Sequence, residues 1–146
     1  MKVMNVVEMG ECLPQVISLR HMLQASGHDM NDFFPVVRPL DWNISDQGLL
    51  EGTMTRHGVE RLLRMADPTG DLPDKEVDLL DPRFQAPPDG SEPLVEGSPV
   101  RVSPDCTVKD AYLLMKVAES DGVVYVTERG ILQGYVTLNT LMSREI

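Results

Sequence analysis

The apolar positions along the chain fall into one pattern that occurs twice. In its first occurrence Val16, Leu19 and Leu23, flanked by Ile17 and Met22, recur at three- and four-residue intervals, the spacing of one helix face. Pro14 suits the first turn of that helix, where its missing N–H costs nothing, and Gly27 is a natural stop. Phe33-Phe34-Pro35-Val36-Val37 then reads as a short strand, and residues 38–48 as a wide loop carrying Trp42. Residues 50–55, Leu-Glu-Gly-Thr-Met-Thr, give a second strand, and Val59, Leu62 and Leu63 mark the helix after it. The second occurrence opens with a helical stripe of Val108, Ala111, Tyr112, Met115 and Ala118, closed by Gly122. Thr107 and Asp110 have the spacing of a capping box at its start, with Asp in place of the preferred Glu. Val123-Val124-Tyr125-Val126-Thr127 is the next strand, Glu128-Arg129-Gly130 a tight turn, and residues 132–137, Leu-Gln-Gly-Tyr-Val-Thr, the returning strand. Leu138, Leu141 and Met142 mark the last helix.

The two returning strands share the form apolar-polar-Gly-x-apolar-Thr, with Gly52 and Gly134 separated by 82 residues. Such a repeat organises everything else. With opening strands near Val6-Val7 and Val100-Arg101-Val102, each half reads strand-helix-strand-strand-helix. A unit of roughly 50 residues buries too little surface alone. Two copies packed sheet against sheet remedy that, so the expected fold is α+β with pseudo-twofold symmetry. The predicted organisation is a first half over 1–66, a linker over 67–94 and a second half over 95–146. The linker is rich in proline, glycine and acid, and is expected to be irregular and partly mobile, although Val77-Asp78-Leu79-Leu80 is apolar enough to pack locally.

Composition narrows the function. The 146 residues carry a formal charge of −10, which disfavours nucleic acid as a partner and adhesion to anionic lipid. No stretch approaches the ~18 apolar residues of a membrane span, so no insertion into a bilayer is expected of this segment. Met1-Lys2-Val3-Met4-Asn5 lacks the apolar core of a signal peptide. Cys12 and Cys106 stand alone, without a C-x-x-C motif, and fit a reducing compartment. His21, His28 and His57 lack the pairing of a metal site, and the acids of 67–81 do not match a calcium loop, so no metal is expected. Asp110 reads as a cap rather than a general acid, and no serine sits in a nucleophile elbow. Lacking a nucleophile–base or metal constellation, the chain is not expected to be an enzyme. The methionines on helix faces, Met22, Met65, Met115 and Met142, suit core filling first and an interface second. Arg56, where a strand becomes a helix, can meet either a phosphate or a surface carboxylate.

A tandem strand-helix-strand-strand-helix unit with Gly-x-x-Thr closing its last strand resembles the CBS-domain family. Val3-Met4, Ser26-Gly27-His28 and Phe34-Pro35-Val36-Val37 are similar in order to the first CBS domain of CLC chloride channels and transporters. Val77-Asp78-Leu79 ahead of Ser98-Pro99-Val100-Arg101-Val102 resembles the lead-in to the second. The resemblance implies a regulatory and dimerising module on the cytoplasmic side of a membrane, joined to the transmembrane domain of the same polypeptide and paired as a homodimer. Hosts of other kinds, such as a magnesium-transport protein or a metabolic enzyme, are the alternative. It requires no cofactor, while ATP, ADP or AMP act as regulatory ligands in some members.

In those members an aromatic residue ahead of the Phe-Pro-Val-Val strand and its proline sandwich the adenine. An aspartate three residues after the Gly-x-x-Thr threonine holds the ribose. Carried onto this chain, the nucleotide cleft falls on Asn31, Asp32, Phe33, Pro35, Arg56, Thr137, Asn139 and Thr140. The aromatic position falls near Asn31, with Phe33 displaced from it, and the ribose positions are Thr140 and Gly58. A lost charge-assisted bond costs on the order of 1.5–3 kcal/mol, about ten- to a hundredfold in affinity.

Overall fold

Helix α1 (Leu19–His28) begins at Ser18, whose hydroxyl accepts the amide of His21 at 3.1 Å, the bond of an N-cap. The computed structural model, which describes residues 1–28, 32–40, 48–87, 89–118 and 122–145, thus moves the helix start from the expected first turn at Pro14. Leu13–Pro14 forms strand β1 instead, and Val16–Ser18 strand β2. Val16 and Ile17 are β-branched and favour extended backbone. The buried face of α1 is Leu19, Met22 and Ala25, whereas Val16 and Leu23, expected on it, are 53% and 62% exposed.

Tertiary contacts group the chain into two compact units, Gly10–Ser98 and Met1–Met9 with Pro99–Ile146. In the first, β3 (Phe33–Pro39) runs antiparallel to β4 (Gly48–Thr55), and β1 lies parallel to β3 with Leu13 opposite Val36. Helix α2 (Arg56–Ala66) follows β4 directly and packs with α1. Phe34, Val36, Met54, Val59 and Leu62 close a core with Leu13, Ile17 and the α1 face. The opening strand of this unit is therefore Leu13–Pro14, not the segment near Val6-Val7.

The segment expected to be irregular contributes to that core. Strand β5 (Glu76–Asp78) pairs antiparallel with β2, and a short helix α3 (Pro82–Gln85) starts at Asp81, whose carboxylate accepts the amide of Arg83. Arg83 also grips that carboxylate at 2.8 Å, and this hydrogen-bonded pairing holds Asp81 below the usual carboxylate range. Leu79 and Leu94 are buried in the core, and Leu80 and Phe84 pack against it. Acidic and proline-rich composition predicts an irregular, partly mobile linker, but the few apolar residues at 77–84 and 94–95 are enough to anchor the segment.

The second unit repeats the arrangement. Strand β6 (Arg101–Val102) is parallel to β7 (Val123–Glu128), and β7 is antiparallel to β8 (Ile131–Thr137). Arg129 and Gly130, with φ of 55° and 84°, form a two-residue turn of the type that matches strand twist, in line with the tight turn expected there. Helix α4 (Val108–Val117) packs on α5 (Leu138–Glu145). Their core of Val108, Ala111, Met115, Val124, Val126, Val136 and Leu141 is completed by Val3 and Val6, which lie in and just after a 3-10 turn over Val3–Asn5.

Both hairpins carry a register shift at the repeated glycine: Val36 faces Gly52 and Val126 faces Gly134, with the irregularity one residue on. Each glycine lets a further segment approach. Thr53 exchanges backbone hydrogen bonds with Glu96 at 3.0 and 2.8 Å, and Tyr135 with Glu8 at 3.0 and 2.8 Å. A Cβ on Gly52 would stand 2.9 Å from the Glu96 carbonyl; one on Gly134 would stand 2.6 Å from the Glu8 carbonyl and 2.5 Å from Val7. Gly134 also has φ of +152°, which L side chains rarely adopt. Gly134→Ala is expected to destabilise the chain by about 2 kcal/mol or more, read as a lowered urea midpoint, with the hydrogen exchange of the Glu8 and Tyr135 amides accelerated.

Candidate functional site

Each hairpin passes into a helix at a threonine. Thr55 Oγ1 accepts the Gly58 amide at 3.0 Å, and Thr137 Oγ1 accepts the Thr140 amide at 3.2 Å, so both are N-caps. The first helical amides reach back to the chain just ahead of each unit's leading hairpin strand: Arg56 N–H to the Asp32 carbonyl at 2.8 Å, and Leu138 N–H to the Gly122 carbonyl at 2.9 Å. The repeat seen in the sequence is thus a repeat of hydrogen bonding. Two helix N-termini, electropositive through their aligned peptide dipoles, stand at equivalent places in the two units.

Of the eight candidate residues, Asp32, Phe33, Pro35 and Arg56 belong to the Gly10–Ser98 unit and Thr137, Asn139 and Thr140 to the other, while Asn31 lies outside the described residues. Asp32 is exposed and Phe33 half-buried; Pro35 is buried opposite Thr53. The Arg56 guanidinium donates to the Ser26 carbonyl at 2.7 Å and lies 5.2 Å from the centre of the Phe34 ring. Those contacts fasten the first turn of α2 to the end of α1 and combine a hydrogen bond with a cation–π contact. Asn139 is exposed, and the Thr140 hydroxyl lies 3.1 Å from that of Thr137. The side chain at the ribose position is therefore engaged in the cap of its own helix.

The other ribose position is closed sterically. A Cβ on Gly58 would stand 2.9 Å from the Leu94 carbonyl and 3.3 Å from Thr55 Oγ1, so no carboxylate side chain fits there without displacing the Leu94 backbone. Sequence reasoning missed this contact. Its signal was Leu94-Val95, an isolated apolar pair after the acidic stretch, which is buried over the start of α2.

The remaining reactive groups are divided between the two units. Cys106 is half-buried and its thiol is pushed up by burial and by the Asp110 carboxylate, which leaves it protonated and a poor nucleophile at neutral pH. Cys12 belongs to the other unit. His21 and His57 are exposed, and among the described residues no three histidine, cysteine or acidic side chains converge as a metal site would require. Among those residues, too, no helix is long and apolar enough to cross a membrane.

No family model and no curated protein matches the sequence. Solved structures do match. CBSX2 in complex with AMP superposes with a TM-score of 0.63 at 16% identity, covering 99% of this chain and 95% of that one. The CBS domain of the bacterial CNNM/CorC family Mg2+ transporter in complex with ATP gives 0.63 at 12%, covering 98% and 85%. The CBS domains of a transcriptional regulator from Streptococcus pneumoniae give 0.60 at 16%, covering 98% of each. At these identities the likeness speaks for architecture, and along nearly its whole length this chain has the α+β fold of CBS-domain proteins.

Proposed function

We propose that this chain is a regulatory CBS module of a CLC-type chloride channel or chloride/proton exchanger, non-catalytic itself, held on the cytoplasmic side and joined to a transmembrane domain. The observation that carries the regulatory reading is the duplicated strand–threonine–helix junction, with capping threonines 82 residues apart on one fold. The order of Val3-Met4, Phe34-Pro35-Val36-Val37 and Val77-Asp78-Leu79 supports the CLC host. Similarity to the CNNM/CorC Mg2+ transporter domain favours a second reading, a module of a magnesium-transport protein. The intact polypeptide discriminates: about ten apolar spans of ~20 residues each support the first, and a magnesium-transport domain overturns it.

Within this reading adenine nucleotides are weak ligands. Solved neighbours hold AMP or ATP, but here Thr140 supplies a hydroxyl already bonded to Thr137, and Gly58 has no room for a carboxylate. Calorimetric titration with ATP, ADP and AMP is expected to show no saturation below the millimolar range. Thr140→Asp places an acid at the third helical position, where the dipole favours it, and is expected to tighten binding about ten- to a hundredfold. Micromolar binding by the unaltered chain, or no gain from the substitution, overturns the reading.

Homodimer formation is the second element of the proposal. Helix α4 exposes Leu113 and Val117, at 50% and 81%, and α5 exposes Met142 at 48%. An apolar face of this kind suits pairing with a second copy. Leu113→Asp with Val117→Asp is expected to convert a dimer into a folded monomer in sedimentation analysis; a chain that is monomeric before substitution sinks the idea.

A further inference from the structure

In the Gly10–Ser98 unit a groove of about 510 Å³ lies between α2 and residues 76–94, with Leu62 and Leu94 in its floor. Its margin sets Arg61, Lys75 and Arg83 beside Glu76, Asp78, Asp81 and Asp89, so charge there selects no class of ligand. The other unit offers more. Its leading segment, Met1–Met9, buries Val3 and Val6, while Met1, Lys2, Met4, Asn5, Glu8 and Met9 are exposed. Beyond Met9 the chain belongs to the Gly10–Ser98 unit.

Backbone hydrogen bonds fasten this strap. Val3 N–H donates to the Cys106 carbonyl and Val108 N–H to the Met1 carbonyl, each at 2.8 Å, and Glu8 exchanges a pair with Tyr135. The ion pair of Lys2 with Asp105, at 3.1 Å, is open to solvent on both sides and adds little. A segment held by so few groups opens more readily than the hairpin it lies on.

Its attachment falls on the start of α4. Lys2 bridges Thr107, the residue that caps that helix. The Met1 carbonyl takes the Val108 amide, one of the donors a helix leaves unpaired in its first turn. Val3 and Val6 share a core with Val108, Ala111 and Met115, the inner face of α4. At 10 residues α4 is too short to persist on its own sequence. Its outer face carries Leu113 and Val117, on which the proposed homodimer depends. The seat of the strap and the shape of that face are linked through one short helix.

We propose that the strap Met1–Met9 controls self-association: seated, it sets α4 for pairing with a second copy, and lifted, it weakens that pairing. The inference rests on the homodimer reading above and adds the element that regulates it. Linkage makes the effect reciprocal, so a second copy on α4 holds the strap down by the same factor.

Hydrogen exchange of the unaltered 146-residue chain tests this, read below and above the dissociation constant found by sedimentation. The Val3, Glu8 and Val108 amides are expected to gain about tenfold protection in the dimer, and the Thr53 and Glu96 amides of the other unit to gain none. Val3→Ala is expected to weaken association about tenfold. Val59→Ala, an equal truncation in the core of the other unit, is expected to leave it within about twofold. Should Val3→Ala not fold, the exchange measurement decides alone. Strap amides whose protection is independent of concentration overturn the proposal, as does a dissociation constant shared by Val3→Ala and the unaltered chain. Equal gains at every amide overturn it too, since they report general stabilisation by mass action. A chain that sediments as a monomer at every concentration refutes the homodimer itself, and the coupling with it.

Discussion

The structure depends on two places where backbone meets backbone over a glycine. At Gly52 the chain at Glu96 pairs with Thr53, and at Gly134 the chain at Glu8 pairs with Tyr135. Neither hairpin is complete alone, because each leaves backbone donors and acceptors that these segments satisfy, and buried groups left unpaired cost 1–3 kcal/mol each. The same segments deliver core side chains: Val95 into one unit, Val3 and Val6 into the other. Each half is thus finished by residues distant in sequence from its own hairpin. Contacts of that separation tie local folding of a hairpin to closure of a long loop.

This constraint explains which parts of the fold were legible. The hairpins were, because alternation, β-branched residues and a turn with two positive φ angles act locally. The repeat was legible because the glycine and threonine do the same work twice: one admits a passing segment, the other caps a helix. The destination of Val3, Val6 and Leu94 was not, since an apolar residue records that it is buried but not against what. The first helix was misplaced for a different reason. Val16, Leu19 and Leu23 have helical spacing, yet Ser18 offers a cap just before Leu19, and the strand pairing of Val16–Ser18 with Glu76–Asp78 is a long-range fact. Asp67 shows how local polarity in the acidic stretch still builds order: one carboxylate oxygen accepts the Leu72 amide at 2.9 Å.

The candidate nucleotide residues were legible only by resemblance, and the structure assigns several of them work inside the fold. Thr137 caps a helix, Arg56 clamps Ser26 and Phe34, and Asp32 receives the first amide of α2 through its carbonyl. A backbone carbonyl used in this way is indifferent to the side chain, so Asp32 need not be acidic for that purpose. Arg56 differs, because its charge, planarity and length are all used, and lysine would lose the ring contact geometry. These contacts are made between the chain's own groups and call on no ligand.

That distinction bears on how a module of this kind would regulate. A ligand shifts an equilibrium only by its differential affinity for two states, so a weakly held nucleotide has little leverage at ordinary concentrations. A displacement of the surface between α2 and β5 has more, because Leu62 and Leu94 belong at once to the groove floor and to the core beneath it. Displacing Leu94 reaches the start of α2 through its carbonyl above Gly58 and, one residue on, Val95 against Gly52. Pressure on the outer segment would therefore be felt at the helix N-terminus and the paired strand through ordinary close packing.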